Sequence, residues 1–224
     1  MKHMTKAETK RDRRVATYLA ESTCPRLAIG VWRHLLEGWL NTDLDPVEPN
    51  VLPLDVTKPF PFHNDVFDYV ASEHMIEHVP FAAGRHMLAE SFRILKPGGR
   101  IRIATPDLQR YVQLFNPQLT PIQRKYVEWT IQTFISDALP AYPTYVLNNI
   151  FYNFGHQAIY DFTLLSAMVR DIGFDDVKTY PPGVSDCEPL RGIEMHGKAV
   201  GEDINEYETV VLEARKPYSM RSAP

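Results

Sequence analysis

Residues 67–107 join an apolar run, a helical stretch, a proline–glycine turn and a second apolar run without interruption. FDYVAS (Phe67 to Ser72) reads as a strand that enters SEHMIEHV as a helix, and a longer helical stretch follows from about Gly84 to Leu95. LKPGG is a tight turn, because Pro97 cannot extend the helix and paired glycines accept positive φ. The β-branched run in GRIRIATPD then reads as the next strand. Strand, helix, turn and strand in this order confine the chain to an α/β fold with a mostly parallel sheet.

The flanking sequence extends the pattern. RLAIG (Arg26 to Gly30) is a first strand ending in glycine, GWLNTDLD a second ending near Asp43, and NVLPLD a third ending at Asp55. FDYVAS and GRIRIATPD are therefore the fourth and fifth. After Asp107 the chain turns rich in Tyr, Phe, Trp, Gln and Asn and reads as helical, broken by Pro117, Pro121, Pro140 and Pro143; residues 107–156 are expected to form a helical lid or substrate-binding insertion. DFTLLSAMVRDIGF is a helix closed by Gly173, followed by strands near Asp176 to Tyr180 and Glu208 to Ala214.

With 224 residues, 44% of them apolar, the chain suits a single domain over 1–224. A net charge of −4 and a pI near 6.1 offer no footprint for a nucleic-acid partner. Cys24 and Cys187 stand far apart without a metal or disulfide pattern, which fits a reducing cytoplasm. No run approaches the ~18–20 apolar residues of a membrane span, and KHMTKAETKRDRR has no apolar signal core behind it.

In an open α/β sheet, ligands bind beyond the carboxyl ends of the strands, so Gly30, Asp43, Asp55 and Ser72 should converge on one crevice. A carboxylate one strand beyond a glycine loop can accept both hydroxyls of a ribose, and one on the next strand can accept from an adenine amine. The alternative is that Asp43 and Asp55 only cap turns.

The segments RLAIG, GWLNTDLDP, LPLDVTKPFPF, FDYVASEHMIEHV, ESFRILKPGGRIRIATPD, GHQAIYD, LRGIEMHG and ETVVLEARKP together resemble the class I S-adenosylmethionine (SAM) dependent methyltransferases. Within them the likeness is to a bacterial subgroup associated with glycan biosynthesis, and it covers about residues 26 to 216. The resemblance implies a Rossmann-like seven-stranded sheet with its last strand antiparallel, helices on both faces and a helical insertion after strand five. It also implies SAM as cofactor, held by Gly30 and Val31 in the loop, Asp43 and Leu44 at the ribose, Asp55 and Val56 near adenine, and Ser72 beside the methionine portion. One feature departs from the family. A second glycine normally stands two positions after the first, whereas this chain reads Gly30-Val31-Trp32-Arg33-His34. Trp32 either crowds the methionine moiety as a buried wedge or points its indole out of the pocket.

His74, Glu77 and His78 stand at i, i+3, i+4, one side of a helix. H-x-x-E-H also matches a zinc-protease pattern, but that needs a long helix and a third ligand, and here the motif follows a buried strand and precedes Pro80. In a structural role, Met75, Ile76 and Val79 pack on the sheet while the polar residues form hydrogen bonds. Within the resemblance, some O-methyltransferases carry E-x-x-E-H at this place and hold a divalent ion that chelates substrate hydroxyls. With His74 in place of the first glutamate the site would favour Zn²⁺, Mn²⁺ or Fe²⁺ over Mg²⁺, with His156 as a candidate fourth ligand.

Without a metal, His74 or His156 is the candidate general base, since methyl transfer to oxygen needs a proton removed from the hydroxyl. Tyr160 and Asp161 lie close behind His156 to orient it, although Asp161 equally suits the N-cap of the following helix. His196 reads as part of a surface loop before the last strand. The expected function is SAM-dependent O-methylation of a small-molecule or glycan hydroxyl, with no nucleic-acid or membrane partner and a homodimer allowed. The alternative is a non-catalytic methyltransferase-like binding protein that has lost SAM use through the altered glycine loop.

Overall fold

The computed structural model describes residues 6–135 and 141–218. Helix α1 (Lys6–Glu21) leads into strands β1 (Arg26–Ile29), β2 (Leu40–Asp43), β3 (Leu52–Pro53) and β4 (Phe67–Glu73), then helix α2 (Phe81–Ile94) and strand β5 (Leu95–Pro106). Helices α3 (Leu108–Gln113), α4 (Pro121–Phe134), α5 (Pro143–Tyr152) and α6 (Phe162–Ile172) follow. Strand β6 (Asp175–Tyr180), helices α7 (Gly197–Val200) and α8 (Glu202–Glu208), and strand β7 (Thr209–Arg215) complete the described chain. The seven strands form one sheet in the order β3-β2-β1-β4-β5-β7-β6, parallel except for β7, which runs antiparallel to both its neighbours.

The register sorts the side chains by face. Leu27, Val70 and Ile101 pair across one row, and Ile29, Ser72, Ile103 and Leu212 across another. The aliphatic members pack on Met87 and Leu88 of α2 and Leu165 and Val169 of α6, in the main core. Each such side chain stabilises the fold by roughly 1.5–3 kcal/mol when fully buried. The row between them, Ala28, Ala71, Arg102 and Glu213, faces the opposite way. There the connection from β6 to β7 lies over the sheet, placing Leu190 with Ala28 and Ala71, and Glu194 on Arg102.

Three local expectations are revised. SEHMIEHV is not a helix: β4 runs on through Glu73, the His74 N–H donates to Ala104 O at 2.9 Å, and His74 turns at φ +45°. Only a single 3₁₀ turn, Ile76–His78, fits before Pro80, and α2 starts directly after that proline at Phe81 rather than at Gly84. LKPGG is drawn into the sheet, because the Gly98 N–H donates to Lys216 O and the Lys216 N–H to Gly99 O, both at 2.8 Å; Gly98 supplies the φ of +84° this requires. The third strand is only Leu52–Pro53, since proline gives no N–H to a ladder.

The insertion leaves the sheet at Asp107 and rejoins it at Tyr160, where those two residues form an isolated parallel bridge. Thr120 and Gln123 close a capping box on α4, with Pro121 in its first turn. Tyr111, Tyr126, Val146 and Ile150 build a second core that also takes Ile204 and Tyr207 of α8. No helix among the described residues is long and apolar enough to cross a membrane.

Candidate active site

Strand order reverses between β1 and β4, the place where an open α/β sheet leaves a crevice. Two chambers lie there, of about 530 and 540 Å³, within the usual range for small-molecule sites. The first is lined by residues 28–32 at the end of β1 and just after it, and by 71–74 at the end of β4. Walls of the second come from the insertion, including Tyr126, Trp129, Ile150 and His156. Trp32, His74, Phe134, Phe154 and His196 border both.

The first chamber begins at Gly30, which adopts φ +73°; a Cβ there would stand 2.2 Å from Met75 Cγ, so only glycine fits. The Gly30 and Val31 N–H groups donate to Thr42 O at 2.8 and 3.1 Å. Trp32 takes φ +45°, the left-handed conformation a second glycine would adopt freely, at a strain of about 1–2 kcal/mol. Trp32 is 61% exposed, not a buried wedge, and its backbone N–H donates to Asp43 Oδ2 at 2.7 Å. Asp43, at the end of β2, also accepts from the Asp45 N–H at 3.3 Å and has lone pairs left for ribose hydroxyls. Ser72 borders this chamber at the end of β4, with its Oγ buried and unpartnered on the face that carries Ile29 and Ile103. Gly30 and the free lone pairs of Asp43 suit SAM, although Asp43 is not a wall of the chamber and meets it through the Trp32 backbone N–H.

The remaining cofactor candidates stand apart from both chambers. Leu44 is exposed and Val56 buried. The Asp55 carboxylate accepts from Thr57 Oγ1 at 2.6 Å and from the Thr57 N–H at 2.9 Å, bonds that hold its carboxyl below the usual range.

The polar cluster that separates the chambers is built from distant segments. Glu77 is wholly buried; Oε2 accepts from Thr105 Oγ1 at 2.9 Å and Oε1 lies 3.2 Å from His74 Nδ1. His74 Nε2 stands 3.3 Å from Thr209 Oγ1. That hydroxyl gives its own proton to Asn205 Oδ1 at 2.8 Å, so it accepts from His74. The Thr209 bond calls for a proton on Nε2, and the Glu77 carboxylate beside Nδ1 favours a second one there, although Glu77 Oε1 is not aligned with Nδ1 as a hydrogen bond. Burial disfavours the His74 cation, yet Glu77, with Glu208 and Glu73, raises its pKa overall. For Glu77 burial likewise opposes the charge, and His74 lowers its pKa overall.

Against the His74 ring stacks His196, with centroids 3.9 Å apart. His196 is not on an outer loop: its N–H and that of Met195 donate to the Glu73 carboxylate, and its Nε2 lies 2.9 Å from Glu208 Oε1. Glu208 Oε2 accepts from the Tyr126 hydroxyl at 2.6 Å, with the Tyr111 hydroxyl 3.4 Å away. Burial pushes both phenols well above their ordinary range, reinforced for Tyr126 by Glu208 and for Tyr111 by Tyr126 and then Glu208. Glu208, Tyr126 and Glu73 carried no sequence signal, because they come from α8, α4 and β4 and meet around His196 only through the fold.

Residues that could hold a divalent ion are Glu77, His78 and His156, whose ligand atoms lie within 4.8 Å of one another. His156 thus joins Glu77 and His78 in the place expected for His74. His156 Nδ1 is 2.7 Å from Ile150 O, so it carries the proton and Nε2 is left as ligand or base; burial lowers its pKa. Tyr160 does not reach either chamber: it is fully buried in the main core, its hydroxyl unpartnered, and burial pushes its pKa up to about 12. Asp161 caps α6, accepting from the Leu164 N–H at 2.7 Å.

A family profile described as a methyltransferase domain matches residues 14–103. No curated protein matches the chain. Among solved structures, a SAM dependent methyltransferase from Archaeoglobus fulgidus aligns at a TM-score of 0.52 and 17% identity, over 94% of this chain and 95% of that one. A possible histamine N-methyltransferase from Thermotoga maritima aligns at 0.49 and 16% identity, over 92% and 90%. Phosphoethanolamine N-methyltransferase 2 of Haemonchus contortus, in complex with S-adenosyl-L-methionine, aligns at 0.47 and 15%, over 93% of this chain and 52% of that one. The chain has the methyltransferase-like Rossmann fold, with its sheet order and antiparallel β7.

Proposed function

We propose that the protein transfers a methyl group from SAM to a hydroxyl of a small molecule or glycan. The observation that carries this reading is the pair of adjoining chambers, one at the glycine turn and the other walled by the insertion, with His74 and His196 between them. Bound in the first chamber, SAM supplies a methyl group on a positively charged sulfur. Asp43 accepts the ribose hydroxyls and Ser72 stands beside the methionine portion; Asp55, engaged with Thr57, has the smaller share in binding. Trp129, Phe134 and Phe154 give the second chamber flat apolar walls that suit a ring or sugar face, and Phe134 and Phe154 meet edge to face at 5.1 Å. Those walls align the acceptor, which is the larger part of what an in-line displacement asks of a protein.

Calorimetric titration with SAM tests the reading before any acceptor is known. Binding that weakens in Asp43→Ala is the expected result. A wild-type protein that takes up no SAM at millimolar concentration overturns it and leaves the non-catalytic alternative.

A further inference from the structure

His196 differs from the other histidines of the second chamber in what its nitrogens face. Glu208, only 8% exposed, accepts at Nε2, and a carboxylate cannot donate, so the imidazole proton sits on Nε2 and Nδ1 keeps its lone pair. Nδ1 has no hydrogen-bond partner among the described residues and is not one of their fully buried unpartnered atoms, while the side chain borders both chambers. His74, by contrast, has a polar neighbour at each nitrogen, Glu77 Oε1 at Nδ1 and Thr209 Oγ1 at Nε2. His156 borders the second chamber only, and it is grouped with Glu77 and His78.

We infer that His196 takes the acceptor's hydroxyl proton, a step that rests on the methyltransferase reading above. The acceptor oxygen forms its bond to the methyl carbon as the carbon–sulfur bond breaks, the electron pair staying on sulfur. The hydroxyl proton passes to Nδ1 of His196, producing an imidazolium beside the Glu208 carboxylate. Glu208 is a positioning residue that sets the tautomer, and Tyr126 of α4 holds Glu208 in turn, so the insertion and the base share one carboxylate. The other charged groups that face His196 are His74, stacked on its ring, and Glu73, bonded to its backbone. The flat walls point to an acceptor class whose hydroxyl sits on a planar ring, and phenol is the simplest probe of it.

Long-range ¹H–¹⁵N correlation of the imidazoles reads this directly, on the whole protein at about pH 8, above the usual imidazole range. His196 is expected as the Nε2–H tautomer, and adding phenol should move its Nδ1 resonance and not the Nε2 resonance of His156. In Glu208→Ala the tautomer ratio should fall by about tenfold or more, because a hydrogen bond to a carboxylate is lost. A wild-type Nδ1–H tautomer, a ratio unchanged in the variant, or a phenol response at His156 instead would overturn the inference. If Glu208→Ala does not fold, the wild-type tautomer and the phenol response decide it alone. None of these readings uses SAM. A protein that binds SAM but shows the wrong tautomer therefore loses only the role of His196, and one that ignores SAM loses the methyltransferase reading whatever its tautomer.

Discussion

Glu77→Gln removes one buried charge while keeping the shape of the side chain, and its effect on stability should depend on pH. In the folded protein His74 is held above its ordinary value of 6.5 and Glu77 below its ordinary value of 4.5. A raised His74 binds its proton more tightly folded than unfolded, so its stabilisation is complete below 6.5 and disappears as pH rises through its folded value. A depressed Glu77 contributes above 4.5, and that contribution disappears as pH falls through its folded value. The pair therefore stabilises most between those two ordinary values, around pH 5.5.

Breaking a buried ion pair by removing one partner costs about 3–5 kcal/mol. Here the loss is bounded, because His74 can shed its proton and accept from the new amide, while the amide oxygen keeps the Thr105 bond. About 3 kcal/mol is therefore expected near pH 5.5, where shedding the proton is least favourable. Toward pH 9 the wild-type His74 holds its proton less firmly as well, and the difference should fall toward about 1 kcal/mol, the scale of one hydrogen bond. Urea unfolding followed by tryptophan fluorescence at both pH values measures it. A difference that is the same at both, or larger at pH 9, would show that the charge pair is not what Glu77 contributes.

Asp43→Ala should weaken SAM by about 2–3 kcal/mol, roughly thirty- to over a hundredfold, since two ribose hydroxyls lose their acceptor; calorimetry reads it, and unchanged affinity would move the ribose elsewhere. Gly30→Ala forces a Cβ against Met75 at φ +73°, so a loss of about 1–2 kcal/mol in thermal or urea unfolding is expected, together with weaker SAM binding. If Glu77, His78 and His156 hold a divalent ion, elemental analysis of chelator-free protein should find about one ion per chain, lost in His156→Ala and retained in His74→Gln. Retention in the first and loss in the second would restore the set read from spacing alone.

The strands, the helix between β4 and β5, and the residues at the strand ends were legible because local pattern decides them: β-branched runs bounded by glycine, proline and aspartate read as strands wherever they occur. Asp43 at the end of β2 and Gly30 just after β1 follow from that alone. The geometry of His74 was not legible. Spacing at i, i+3, i+4 assumes a helix. The backbone instead continues β4 as far as the bond from His74 to Ala104, and Pro80 leaves room for one 3₁₀ turn. Helical spacing is thus overridden by sheet pairing, a tertiary effect without a local signature. His196 was misplaced for the same reason. Its setting depends on Glu73, Glu208 and Tyr126, which come from β4, α8 and α4.

Only ten residues, 30–39, separate β1 from β2, and they contain no helix. Parallel neighbours are usually joined by a crossover of a dozen or more residues with a helix in it. The face bearing Ala28, Ala71 and Arg102 therefore needs another cover, and the β6–β7 connection provides it. Leu190 packs on the two alanines, Glu194 pairs with Arg102, and Val184 O accepts from the same guanidinium at 2.9 Å. Arg102 also meets Glu213 at 2.5 Å, so its charge is matched inside the sheet. Two residues past Glu194 that cover reaches the carboxyl edge of the strands, and there Glu73 fixes His196 against His74. The short connection after the glycine turn and the arrival of a second histidine at the crevice are thus linked: the segment that covers the face left without a crossover helix is the one that carries His196 to the wall between the chambers.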